Sequence, residues 1–133
     1  MKYWLVKSEP FTFSWDNFVK DGKAVWDGVR SFPGRKNLRA MKKGDNVLFY
    51  HSMEGTEVVG IAKVVREAYQ DPTTKDDWSA VDLEPVKPLK KPVTLAQIKE
   101  QKKLQKIYLV VQPRLSVMPL EKDEFELIVK MGS

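Results

Sequence analysis

Cysteine is absent from the 133 residues, and histidine occurs once, as His51. Without thiols there is neither a disulfide nor a cysteine metal site, and a reducing compartment suits the chain. A single imidazole leaves no Ser-His-Asp cluster with spare partners and no standard zinc ligand set. At the end of a strand, in Tyr50-His51-Ser52, it reads more readily as a hydrogen-bonded structural residue than as a base. Neither a G-x-x-x-x-G-K-S/T nor a G-x-G-x-x-G phosphate loop occurs. No apolar run approaches the roughly 20 residues of a membrane span, and Met1 to Lys7 is too short in its apolar part for a signal peptide. The expectation is a cytoplasmic protein, or a nuclear one in a eukaryote, that binds no metal, cofactor or membrane. Catalysis by carboxylates stays open, because Asp and Glu are plentiful.

What is present suits one globular domain over residues 1–133, with 42% hydrophobic and 31% charged residues. The formal charge is +5 and the isoelectric point about 9.3, compatible with a polyanionic partner. Distribution is more informative than the total. From Arg30 to Lys43 six positive residues (Arg30, Arg35, Lys36, Arg39, Lys42, Lys43) occur with no acidic one. A second basic stretch runs through Lys87, Lys90, Lys91, Lys99, Lys102, Lys103 and Lys106, broken only by Glu100. Either run could also be a solvated face.

Local pattern predicts a mixed α+β fold. Tyr3 to Val6 alternates bulky residues on both faces, as in a strand buried on both sides. Ser14 caps a helix that Asp21-Gly22 ends. Gly34 to Lys43 forms a short basic helix with Gly44 as its C-terminal cap. Asn46 to His51 and Glu57 to Tyr69 are strands, Gly60 marking a bulge or barrel corner, and Asp71 to Thr74 is a turn. Trp78 to Glu84 has the period of a half-buried strand. Thr94 and Gln97 form a capping box, Ile107 to Val111 is a short strand, and Pro119 to Met131 carries a C-terminal helix. Without regular βαβ alternation, these elements suit a small curved sheet or barrel.

Several short motifs then fall in one order along nearly the whole chain. They begin with Tyr3-Trp4-Leu5-Val6-Lys7-Ser8-Glu9-Pro10 and Trp26-Asp27-Gly28-Val29-Arg30. Asn37-Leu38-Arg39-Ala40-Met41-Lys42-Lys43-Gly44-Asp45, Phe49-Tyr50-His51-Ser52 and Gly60-Ile61 follow. Tyr69-Gln70-Asp71-Pro72-Thr73, Trp78 with Val81-Asp82, and Arg114-Leu115-Ser116-Val117 with Pro119 complete the series. In this order the chain resembles the EVE domains of the PUA-like superfamily. The resemblance implies a small mixed PUA-like β-barrel flanked by short helices. It also implies an aromatic pocket, similar to that of YTH domains, that encloses one base flipped from DNA or RNA. Modified bases, methylated or hydroxymethylated cytosine among them, are the expected ligands.

The base pocket is expected to draw on Trp4, Lys7, Ser8, Trp26, Asn37, Tyr50, His51, Ser52 and Trp78. The basic segment Arg30, Arg35, Lys36, Arg39, Lys42 and Lys43 is expected at phosphates. Arg114 and Ser116 belong either to the pocket or to the structure. Trp4, Tyr50 and Trp78 suit a core as well as a pocket, and Ser8 could simply turn the chain. Trp26, read as a loop residue just before Gly28, favours the pocket. Where EVE domains commonly carry Asn-Tyr-Gln-Ala-Arg-Asn, this chain has Ser31-Phe32-Pro33-Gly34-Arg35-Lys36, which leaves its base preference open. The other class of function is an enzyme acting on a modified nucleoside, as in some ASCH domains of the same superfamily. It would need an acid/base set, for which Lys7, Glu9 and His51 are the candidates.

Overall fold

Bulky side chains alternate along the central strands, so each strand needs cover on both faces. The computed structural model describes residues 1–133 and supplies that cover. In chain order the elements are β1 (Tyr3–Ser8), α1 (Trp15–Asp21), β2 (Ala24–Trp26), α2 (Phe32–Ala40), β3 (Asn46–His51), β4 (Glu57–Gln70) and β5 (Ser79–Thr94). There follow α3 (Leu95–Glu100), a 3-10 turn (Lys102–Leu104), α4 (Tyr108–Val111), β6 (Val117–Leu120) and α5 (Lys122–Met131). The strands form one six-stranded sheet in the order β2-β5-β4-β3-β1-β6. Only β1 and β3 run parallel. Trp4, Val6, Val47 and Phe49 enter one core; Leu5, Leu48 and Tyr50 enter a second on the opposite face.

This is the α+β, PUA-like arrangement, with one difference from a barrel closed strand to strand. The sheet is open, ending at β2 and β6, and α2 spans the gap. Asn37 Nδ2 donates to the Val117 carbonyl of β6 at 2.7 Å, while Arg39 Nε donates to Ser79 Oγ of β5 at 2.9 Å. Gly60 sits at register shifts on both sides of β4. A Cβ there would lie about 2.5 Å from the Trp15 ring, so only glycine lets α1 pack this closely.

Four local expectations are corrected. Helix α2 starts at Phe32 rather than Gly34, because Ser31 Oγ accepts from the Gly34 amide and Pro33 suits a first turn. It ends at Ala40 with Met41 as cap, and Gly44, at φ +94°, turns the chain into β3 instead. Ile107 to Val111 is a helical turn, in which Ile107 and Leu109 reach the second core with Leu104. Ser79 to Leu83 is buried on both faces, not half-buried, with Asp82 satisfied by Tyr69 and Lys23. Finally, Val117–Leu120 is an edge strand on β1, and the last helix begins only at Lys122 behind a Glu121–Glu124 capping box.

Candidate functional site

The end of β1, the loop after it, β2 and the loop after β2 line an open cavity of about 810 Å³. That volume is within the range of small-molecule pockets. Trp26 and Phe13 form its aromatic side. Trp26 is the last residue of β2, not a loop residue, and is 8% exposed. Its ring meets Phe49 edge-on at 5.7 Å and Phe13 at 6.4 Å. One indole thus belongs to both the core and the cavity wall.

Polar groups ring this apolar surface. Ser8 Oγ donates to the Phe13 carbonyl at 2.5 Å, which fixes the Glu9–Phe13 loop and leaves hydroxyl lone pairs for a ligand. The Lys7 amide donates to the Ser116 carbonyl at 2.9 Å, and Lys7 Nζ donates to the Pro113 carbonyl at 2.6 Å. These two bonds hold the Pro113–Ser116 segment, with Arg114, against the cavity. Burial lowers the Lys7 ammonium pKa. Arg114 forms no ion pair within the chain.

The Asp27–Ser31 wall is held from below by Asp71. This fully buried carboxylate accepts from the Gly28 amide at 2.9 Å, Arg30 Nη1 at 2.8 Å, the Thr73 amide at 2.7 Å and Thr73 Oγ1 at 2.5 Å. Gly28 has φ +76°, the left-handed conformation that brings its N–H onto the carboxylate. Burial alone would raise the Asp71 pKa. The hydrogen bonds from Thr73, Arg30 and Gly28 outweigh it and hold the group well below the carboxylate range. At Asp27 the balance goes the other way: desolvation, then repulsion from Asp71, raise its pKa. The lining mixes charge, with Lys7, Lys23, Arg30 and Arg114 against Glu9, Asp21 and Asp27. An aromatic surface ringed by donors and acceptors of both signs suits a flat, polar-edged ligand.

Of the residues singled out in the sequence, the fold brings Lys7, Ser8, Trp26, Arg30, Arg114 and Ser116 to this cavity. It does not bring the others. Trp4 is core, and its indole N–H donates to the buried Asp45 at 3.0 Å. Tyr50 faces the second core, where burial raises its pKa. His51 Nε2 accepts the Trp15 amide at 3.0 Å, and Ser52 donates its amide to the Ser8 carbonyl at 2.9 Å. Asn37 is occupied with Val117.

Trp78 lies outside the cavity, stacked on Phe32. The basic segment is divided as well. Arg35 and Arg39, one helical turn apart, both pair with Asp77. Lys36 is exposed, and Lys42 and Lys43 border a separate depression beside Met1 and Lys2. Phe13, Thr12, Lys23 and Asp27 line the cavity but were not among the sequence candidates, and Glu9, a candidate only for acid/base chemistry, lines it too. Asp27 stood inside the Trp26–Arg30 motif, and Phe13 three residues after Glu9-Pro10. The signal for both was adjacency to motif residues.

Comparison with known proteins gives consistent matches. The family model described as EVE domain matches residues 2–131. Mouse thymocyte nuclear protein 1 is 35% identical over 164 aligned positions, covering 97% of this chain and 73% of that protein. The structure of Rpa0253 from Rhodopseudomonas palustris is 46% identical, with a TM-score of 0.94 over 99% of this chain and 93% of the other. Human THYN1 protein, solved in complex with 5-methylcytosine containing DNA, is 31% identical. Its TM-score is 0.91, with 100% of this chain and 98% of that one covered.

Proposed function

The chain belongs to the EVE domain family, and from that premise we propose that it is a nucleic-acid-binding module. It takes one flipped base, a modified cytosine or a similar base in DNA or RNA, into the cavity that Trp26 and Phe13 wall on one side. The observation that carries the reading is the cavity itself, with an aromatic side and a fixed polar rim. The human relative's complex with 5-methylcytosine containing DNA supports the same ligand class.

Removing a base from its stack forfeits stacking, and an aromatic wall restores about 1–3 kcal/mol of it. A methyl group that fills an apolar niche adds on the order of 1–3 kcal/mol. Base edges would be read by the hydroxyls of Ser8, Ser116 and Thr12, by the Asp27 carboxyl and by backbone groups of the rim. Arg114, which has no internal counter-ion, is the phosphate partner nearest the cavity, and Arg30 keeps donors free beside its bond to Asp71. We read the site as one of binding without catalysis: Lys7 and Glu9 remain at the cavity, while His51 is engaged elsewhere.

The test is a binding panel of DNA and RNA oligonucleotides, each with one modified or unmodified cytosine. Trp26→Phe keeps a ring in the core and reduces the wall. It should lower affinity for the preferred modified oligonucleotide by about 1 kcal/mol, with melting still cooperative. Unchanged affinity of the folded protein for that oligonucleotide, together with a lower melting temperature, would assign Trp26 to the core alone.

A further inference from the structure

Phe32 is 68% exposed, unusual for a ring on a helix whose other large apolar side chain, Leu38, is fully buried. It is not disordered by that exposure. Its ring stacks on Trp78, with centroids 5.6 Å apart and planes inclined by 19°. The Arg35 guanidinium carbon lies 4.9 Å from the Phe32 centroid and 5.2 Å from that of Trp78, and Arg30 lies 5.7 Å from Trp78. These separations make a nearly equilateral triangle of Phe32, Trp78 and Arg35. Arg35 therefore flanks the ring pair rather than covering its outer side, since a cation capping Phe32 would lie far from Trp78. The outer face of Phe32 remains open to solvent.

This flat surface is rigid and well placed. Phe32 follows Ser31, a wall residue of the cavity, and Arg30 belongs both to that wall and to the ring cluster. Arg35 and Lys36 stand three and four positions after Phe32, on the same side of α2. Lys36 is exposed and forms no ion pair, and Arg35 engages Asp77 through Nη1 alone.

We propose that the Phe32–Trp78 stack is a second nucleotide subsite, on which the base adjacent to the flipped one stacks. Lys36 and Arg35 hold the phosphate that joins the two nucleotides. An open aromatic face backed by a second ring and bordered by cations is what a nucleobase with its phosphate requires. The subsite reads no sequence, because every base has a π-face. It sets which oligonucleotides can present a base to the pocket, by gripping the strand beside it. The inference rests on the base-reading pocket proposed above.

The test uses single-stranded and duplex DNA oligonucleotides with one central 5-methylcytosine. In matched probes, an abasic site replaces the nucleotide on its 5′ or its 3′ side. Phe32→Ala should weaken binding of the intact probe roughly ten- to a hundredfold. Phe32→Tyr should bind as the parent does. Phe32→Leu, apolar but without a π-face, should behave like Phe32→Ala, which a purely structural role of the ring would not produce. One of the two abasic probes should bind the parent as weakly as the intact probe binds Phe32→Ala, and should not distinguish the two proteins.

Equal affinity of Phe32→Ala and the parent for the intact probe would overturn the subsite, as would equal losses with both abasic probes. Trp26→Phe, measured in parallel, reports on the pocket separately. A parent with no preference for 5-methylcytosine refutes that choice of base, whereas the Phe32 comparison still decides the subsite. Failure of the parent to bind any probe refutes both.

Discussion

At the scale of single residues, the side chains divide by which atoms the protein has already used. His51 is an example. Its Nε2 accepts the first amide of α1, the Trp15 N–H, and burial is the main cause of its lowered pKa. The fold thus favours the neutral ring. For a base with a lowered folded pKa, the stabilisation is complete above the unfolded pKa and is lost as pH falls through the folded one. Melting temperature should therefore fall between about pH 7 and pH 5 in the parent. His51→Asn, which can accept the same N–H through Oδ1 but does not titrate, should flatten that interval. An equal slope in both proteins would show that the histidine contributes nothing there. Trp4 and Trp26 show why residue type alone does not separate roles. Both are 8% exposed or less, yet one indole donates to Asp45 and the other borders an open cavity.

At the scale of elements, the decisive feature is the Asp27–Ser31 loop tied to Asp71. In the sequence Asp71 reads as a turn residue, Trp26 as a pocket residue and Arg30 as a phosphate contact. No local signal joins positions more than 40 residues apart through one carboxylate. The elements with local signals were legible: the Ser14 cap, the Thr94 capping box, and β1 buried on both faces. Those decided by neighbours were not. The 107–111 run is β-branched and apolar, yet it is a helical turn that buries Ile107 and Leu109 in the second core. Strand β2 was missed because three residues carry too short a period to read.

Asp71→Asn should destabilise the fold by about 1–3 kcal/mol, since it weakens a buried charge-assisted network and releases Arg30. The native Asp71 pKa lies below the unfolded one, so its stabilisation is present above the ordinary carboxylate range and is lost as pH falls through the folded value. Acid titration of melting temperature below about pH 4 should be steep in the parent and shallower in Asp71→Asn. Identical acid slopes would remove Asp71 from this role.

At the scale of the whole molecule, the net charge of +5 is spread unevenly, and ion pairs use part of it. Arg30, Arg35 and Arg39 each face an aspartate, whereas Arg114 and Lys36 do not. A basic run in sequence is therefore not a basic surface of equal strength along its length. Oligonucleotide affinity should decline with salt, and Arg114→Ala should reduce the log–log slope by about 1. Replacing Lys42 and Lys43 together with alanine should leave the slope unchanged, because they border the depression beside Met1 and Lys2 instead. A slope that responds to the lysine pair and not to Arg114 would relocate the nucleic-acid path to that side of the sheet.

The attachment of the cavity wall to Asp71 also has a kinetic consequence. Four donors meet on one buried carboxylate before any ligand arrives. The entropy of ordering that wall is thus lost during folding and is not charged against association. Such a receptor meets its ligands preorganised. Encounter rates should then be similar for ligands of equal charge, and discrimination between one base and another should lie in how long each stays bound.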